Sequence, residues 1–564
     1  NYSYLNVEEL GSVYESLLDF EPQTVENNGV WEFQFVEGDE RRKTGSYYTH
    51  PSLVQELVEH ALEPVMQDRL KGVSTPEERK RALLSMSVCD PAAGSGHFLL
   101  AAARRLGLEL ARVETGESAP APEEFKKAVR EVIRHCIYGV DRNPLAVDLC
   151  KVALWLEGHN RDLPLTFLDH RIKCGDSLVG VADLKMLETP IPDEAYKRTD
   201  KSQASVAKAL AKRNREEAKG QAQMFATVPK GGLTLSPLAQ SLKDIEDLPA
   251  LSPEDVARAA ADYNQLRGPN TDWWAQMTAC HMWVAPFFAP MKKSELVPTT
   301  GMVRAYLATP GAGDGKLVGN AWDIAQRHRF FHWPLEYPDV FARGGFDCVL
   351  ANPPFKGGRK VTHEFGDEYA SCIRSAAPPG IGGADLCAYF FRRAFMLLDR
   401  QGRMGMVATN TIGQGDTRLE GLAAIIANGG TIMFGRRLVK WPGDANVEVN
   451  LVGITKSPVA KIARRLDGRN VSFISSRLDV ESEMEAAVLK SNGNLSFQGS
   501  IVLGDGFLLD PHEAGVLIDG RPANAECLFP YLIGDDLNSR FDQQPSRWTI
   551  QFDERTEHEA SQYP

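Results

Sequence analysis

Short apolar runs, each ending abruptly in a polar residue, recur along this chain and alternate with longer stretches of helical periodicity. Ser87-Val88-Cys89 ends at Asp90, Cys136 to Val140 at Asp141, Ile172 to Gly175 at Asp176, and Phe346 to Ala351 at Asn352. Apolar runs of this length, bounded by turn residues, predict buried strands. Between them, Phe98 to Val113 predicts a helix. Asn143-Pro144 opens a second helix with Ala146, Leu149, Ala153 and Leu156 along it. Asp385 to Leu398 predicts a third, with Leu386, Tyr389, Phe390, Ala394 and Leu397 inward; strands follow at 402–410, 431–439 and 447–454. Strands alternating with helices predict an α/β fold, a doubly wound Rossmann-like sheet with helices on both faces.

The pattern changes between 181 and 340, which predicts a mostly helical insertion. It holds a basic polar helix at 197–219, a linker of Pro, Gly and Leu at 228–253, and a helical run at 253–285. Trp273-Trp274 and His281-Met282-Trp283 in that run predict core packing.

The polar strand ends carry the candidate chemistry, because open α/β sheets bind ligands at the carboxyl ends of their strands. Asp90-Pro91-Ala92-Ala93-Gly94-Ser95-Gly96-His97-Phe98 is a strand end, a glycine turn and a helix start. Its glycines admit close backbone approach. A dinucleotide fingerprint would need a third glycine where Leu99 stands, and Asp90 repels phosphate but suits an ammonium group. Asp141 is placed to accept from two ribose hydroxyls, and Asp176 from an adenine amino group. Any one of these acids could equally be a helix cap or a solvated turn residue; three at successive strand ends predict a site. In Asn352-Pro353-Pro354-Phe355, the Asn oxygen and the next carbonyl can accept both hydrogens of a planar amine. The prolines fix that geometry, and Phe355 offers a face for a base. Alone, the tetrad fits a proline turn as well.

With these motifs in this order, the chain resembles the S-adenosylmethionine-dependent DNA adenine-N6 methyltransferases of the gamma arrangement. In that arrangement a cofactor segment precedes the glycine loop. Here that segment is Thr44-Gly45-Ser46-Tyr47-Tyr48-Thr49-His50-Pro51, followed by an amphipathic helix. The family pattern is Tyr-Thr-Pro; His50 interrupts it and leaves Thr49 as the cofactor contact. Leu10 to Leu18 resembles a helix of large single-chain restriction-modification enzymes and of the BREX and DISARM phage-defence methyltransferases. The resemblance implies a class I methyltransferase sheet and an S-adenosylmethionine site of Thr49, Asp90, Ala92, Gly94, Gly96, Phe98, Asp141 and Asp176. It implies catalysis by Asn352, Pro353, Pro354 and Phe355 on an adenine flipped out of duplex DNA, with Trp441 a candidate for stacking on that base. The implied layout is an N-terminal helical segment (1–42), the cofactor half (43–180), the insertion (181–340), the catalytic half (341–525) and a truncated target-recognition domain (526–564). Double-stranded DNA is the implied partner, with other defence subunits beside it. Two alternatives stay open: a protein-glutamine or RNA N-methyltransferase, and a sensing subunit that binds the cofactor without acting alone.

Composition changes this picture in two places. Nine cysteines without a Cys-x-x-Cys pair predict a reducing compartment, the prokaryotic cytoplasm, and no metal site. No window predicts a membrane span, the start does not resemble a signal peptide, and no nuclease motif accompanies Glu124-Phe125-Lys126. The formal net charge of −12 opposes nucleic-acid binding overall. Cationic patches offset it locally: Arg41-Arg42-Lys43, the Lys356, Arg359, Lys360 group after the tetrad, and Arg436-Arg437 with Lys440. The second is expected to grip the phosphates of a flipped nucleotide.

Overall fold

A computed structural model describes residues 20–27, 30–37, 49–224, 235–292, 296–310, 313–376, 382–442, 448–457, 463–483, 502, 504–553 and 555–563. The chain forms two compact units, Asn1–Glu483 and Met484–Pro564. The first described residues, expected to be helical, form an antiparallel hairpin of β1 (Phe20–Asn27) and β2 (Val30–Glu37). Trp31, Phe33 and Phe35 alternate with Glu32 and Gln34 in β2, a period of two that suits a strand. The stretch Leu10 to Leu18 and the patch Arg41-Arg42-Lys43 lie outside the described residues.

The main sheet is built from β3 (Val88–Asp90), β4 (Ile137–Asp141), β5 (Ile172–Cys174), β6 (Phe346–Ala351), β7 (Leu398–Thr409), β8 (Thr431–Lys440), β9 (Glu448–Thr455), β10 (Arg464–Leu466) and β11 (Arg469–Val471). Their spatial order is β11-β10-β8-β9-β7-β6-β3-β4-β5. Strands β5, β4, β3, β6 and β7 run parallel, and β9 enters antiparallel between β7 and β8. A parallel sheet with β9 reversed between β7 and β8 is the class I methyltransferase arrangement that the sequence predicts, and the short β11 adds a second reversed strand at the far edge. The chain leaves β3 outward to β4 and β5, then returns to lay β6 on the other side of β3. That reversal makes the β3/β6 boundary the switch point, where a crevice opens at the carboxyl ends.

Both faces are covered. His97–Thr115 buries Phe98, Leu99, Ala102, Ala103, Leu106 and Leu110, spaced along one stripe. On β7, Gly405 lets the helical stretch Pro51–Leu70 approach closely: a Cβ there would meet the Ala61 methyl at 3.0 Å.

The insertion is helical, as expected, but forms no separate unit. Trp273, Met277, Ile324 and Trp333 share one core with Phe346, Val349 and Met404 of the sheet. A buried ion triad pins it to the edge strand. Lys173 of β5 donates to Glu336 Oε2 (2.9 Å), and Arg267 grips both oxygens of the same carboxylate (2.8 and 3.0 Å). The basic helix starts later than expected, at Ala204–Met224. The expected linker contains a helix, Ser236–Glu246, because Leu238, Leu242 and Ile245 recur at helical spacing and are buried.

The second unit carries β12 (Leu508–Leu509), β13 (Leu528–Tyr531) and β14 (Arg547–Ile550) in the order β12-β14-β13, with the helix Pro511–Gly520. The expected boundary at 525/526 therefore falls at 483/484. Strand β12 pairs with β14, so residues before 526 belong to the same small sheet.

Candidate active site

Strand β3 is buried throughout and delivers Asp90, 1% exposed, to the crevice. The Ala92 N–H donates to Asp90 Oδ1 (2.9 Å), which fixes the start of the glycine turn. Gly94 and Gly96 then adopt φ of +51° and +92°, where a side chain is disfavoured. A Cβ on Gly96 would also meet Cys150 Sγ at 2.8 Å. Gly96 caps the helix His97–Thr115 without a side-chain acceptor, so the turn presents that helix's first N–H groups.

Hydrogen bonds gather the acidic strand ends at this turn. The Gly94 N–H donates to Asp141 Oδ2 (2.8 Å), and the Asn143 N–H to Asp141 Oδ1 (2.7 Å). Ser177, beside Asp176, donates to the Pro91 carbonyl (2.5 Å). Asp176 is 3% exposed, and its Oδ1 accepts from the Leu178 N–H (3.0 Å) and the Tyr369 hydroxyl (3.3 Å). Burial raises all three carboxyls, Asp90 well above the usual range. The charge of Asp141 adds to the shift of Asp90, and that of Asp176 to Asp141; Arg142 partly relieves Asp176. Acids held in mutual repulsion suit a cationic ligand and disfavour a phosphate. The turn and its acids thus fit the ammonium, sulfonium and adenosine parts of S-adenosylmethionine.

Across the switch point, Asn352 follows the fully buried β6. Its amide Nδ2 donates to the Thr49 hydroxyl (3.0 Å), a residue 303 positions earlier that is 5% exposed. Its Oδ1 is buried with no hydrogen-bond partner. Pro353 is buried, Pro354 and Phe355 half-buried, and Phe355 packs against both main cores. The loop after the tetrad is clipped to the next helix: the Lys356 N–H donates to Asp385 Oδ1 (3.1 Å), and the Leu386 N–H to the Lys356 carbonyl (2.8 Å). Asp385 is also the N-cap of Leu386–Leu397.

Several expected residues stand elsewhere. Phe98 is 3% exposed and packs in the core rather than lining the turn. Lys356 turns inward, 6% exposed, paired with Glu364 and lying over the Phe365 ring. Its charge is thereby committed to a carboxylate and an aromatic face, so it is not the phosphate grip expected of it. Gly358 is not a loose loop residue: a Cβ there would meet the Gly383 carbonyl carbon at 2.4 Å. Arg359 and Lys360 remain exposed. In the late patch, Arg436 pairs with Glu56 and Arg437 with Asp467. Trp441 is half-buried against the core of the cofactor half, and residues 443–447 of its loop lie outside the described ones. His50, the interruption in the cofactor segment, caps the helix Pro51–Leu57 by accepting from the Ser52 N–H. Residues 44–48 of that segment also lie outside the described residues.

Sequence reasoning missed Arg142 and Tyr369, which contact Asp176, and Phe365, which packs on both of them. Only the position of Arg142, directly after Asp141, signalled it.

Comparison with known proteins gives matches to two parts of the chain. The N-6 DNA Methylase family matches residues 31–180, and the Eco57I restriction-modification methylase family matches residues 309–432. A Methanocaldococcus jannaschii protein, named as a putative type II restriction enzyme and methyltransferase, is 26% identical over 226 residues. That match covers 33% of this chain and 18% of the relative. Among solved structures, the type IIL restriction-modification enzyme MmeI in complex with DNA is similar at a TM-score of 0.46 and 14% identity, covering 100% of this chain and 56% of that one. The M protein of the type I restriction enzyme EcoKI is similar at 0.30 and 12%, covering 74% and 45%. The chain therefore spans under two thirds of each relative. Two separate segments of the chain are thus similar to N6 DNA methylases of restriction-modification type, which use S-adenosylmethionine as cofactor.

Proposed function

We propose that this chain methylates adenine N6 at a specific site in duplex DNA, with the target base flipped out of the helix, and that it marks self DNA in a restriction or phage-defence system. One observation carries the reading: a buried Asn352 oxygen with no partner, on an amide whose other end is held by Thr49, at the switch point beside Asp90.

An unpaired buried acceptor costs on the order of 1–3 kcal/mol, and an adenine amino group is a donor that would satisfy it. Asn352 Oδ1 and the Pro353 carbonyl accept the two N6 hydrogens, drawing the nitrogen lone pair out of conjugation. Phe355 stacks on the base, and flipping costs a few kcal/mol that these contacts offset. Asp141 holds the ribose of the cofactor, Asp176 its adenine, and Asp90 with the glycine turn its charged end. The cofactor supplies an activated, electrophilic methyl group. Thr49, Asn352 and Pro353 therefore contribute orientation and oriented dipoles rather than a strong base. Arg359 and Lys360 supply phosphate contacts, and the Met484–Pro564 unit contributes to target recognition.

The test is transfer of labelled methyl groups from S-adenosylmethionine to plasmid DNA, together with calorimetry of S-adenosylhomocysteine. The reading expects N6-methyladenine as product and loss of cofactor binding in Asp141→Ala. Methylation of protein or RNA in preference to DNA would overturn it.

A further inference from the structure

The helix Gly358–Ser375 begins three residues after the tetrad and meets the third acidic strand end at Tyr369. Two cations contact its Phe365 ring. The Arg142 guanidinium is 4.9 Å from the ring centroid, and Lys356 Nζ is also 4.9 Å away. Arg142 directly follows the candidate ribose acceptor Asp141, and Lys356 directly follows Phe355 of the tetrad. One aromatic ring thus touches both halves of the site.

The contact extends one turn further. Phe365 packs on Tyr369 (centroids 4.8 Å apart), Tyr369 also meets Arg142 (5.7 Å), and its hydroxyl donates to Asp176. Arg142 Nε lies 3.5 Å from Asp176 Oδ2. The helix breaks at Gly366, whose φ of +88° favours glycine, so the pair flanks a joint between two helical segments.

We propose that Phe365 is a positioning residue that ties the cofactor half of the site to the target-base half, with Tyr369 and Arg142 setting Asp176 from the same cluster. The inference rests on the function proposed above. A ring face attracts a cation through its quadrupole, so Phe365 holds Arg142 and Lys356 at a fixed separation. That separation sets how far the Asp141–Asp176 side stands from the tetrad. Tyr369, in contrast, meets Asp176 and Arg142 on the cofactor side.

The experiment measures cofactor KM and kcat for methyl transfer to plasmid DNA in the full chain, with S-adenosylhomocysteine affinity by calorimetry and thermal unfolding as the folding control. Phe365→Leu keeps apolar bulk but removes the ring; it should raise KM and lower kcat, each by about tenfold, the scale of one to two cation–π contacts. Phe365→Tyr keeps the ring and should stay near wild type. Tyr369→Phe should raise KM and leave kcat unchanged. Should Phe365→Leu fail to fold, Arg142→Gln at its exposed position should still raise KM; an unchanged KM there overturns the proposal. Equal losses in Phe365→Leu and Phe365→Tyr, or wild-type constants in Phe365→Leu, also overturn it. A wild-type chain that binds no S-adenosylhomocysteine overturns the proposed function and this inference together. Normal wild-type transfer with an indifferent Phe365 overturns the inference alone.

Discussion

Thr49→Val removes one hydroxyl and almost no volume from a position 5% exposed, so its effect isolates a single hydrogen bond. That bond holds the nitrogen end of the Asn352 amide and leaves the oxygen end toward the crevice. Without it, the amide loses its orienting partner, and Nδ2 is left without an acceptor. Such a loss costs about 1–3 kcal/mol. If that cost falls on the transition state, transfer slows by roughly 5- to 150-fold, at about 1.4 kcal/mol per tenfold. Single-turnover methyl transfer at saturating S-adenosylmethionine reads this directly, and Thr49→Ser should restore the rate because it keeps the hydroxyl. S-adenosylhomocysteine affinity should change little. The opposite pattern, weakened cofactor binding with an unchanged saturated rate, would refute the orienting role and return Thr49 to the cofactor contact that the family resemblance implies.

Gly96→Ala should lower thermal stability, because its Cβ meets Cys150 Sγ at 2.8 Å in a left-handed conformation; Cys150→Ala in the same chain should recover part of the loss, and strict additivity in that double-mutant cycle would contradict the steric account. Acid should destabilise the fold through the buried pair His281 and His332, whose Nδ1 and Nε2 lie 2.8 Å apart. Burial lowers both, His281 to about 3 and His332 well below the usual range. Between about pH 6.5 and about 3 the unfolded chain takes up protons that the folded chain refuses, so stability is full above that window and falls through it. Urea midpoints should drop on acidification, and less so in His281→Gln; identical pH slopes would contradict the assignment. Replacing Arg359 and Lys360 with Ala should flatten the dependence of log DNA affinity on log salt by up to about 1.8, at roughly 0.9 per phosphate contact. An unchanged slope would leave both as solvated surface.

The parts of this molecule visible in sequence were those encoded within a few residues. Short apolar strands ending in Asp90, Asp141, Asp176 and Asn352 carry both their structure and their chemistry locally, so sheet and candidate site could be anticipated together. Contacts across long separations could not. Thr49 meets Asn352 303 positions away. Closer in sequence but equally without a local signal, Lys356 is drawn inward by Glu364, 8 residues on, and by Phe365. The alternation in β2 and the spacing of Leu238, Leu242 and Ile245 were legible. They were masked by a helical expectation for the N-terminus and by the Pro and Gly residues around 228–253. Phe365 and Tyr369 gave no local signal, since aromatic residues four apart on a helix most often serve a core.

The most direct test is single-molecule sequencing of DNA from cells carrying the full-length protein, compared with cells carrying its Asn352→Ala variant. The account predicts N6-methyladenine at one recurring sequence motif in the first and its loss in the second, with the variant still binding S-adenosylhomocysteine. Undiminished N6-methyladenine in the Asn352→Ala cells, or none in cells with the intact protein, would contradict it.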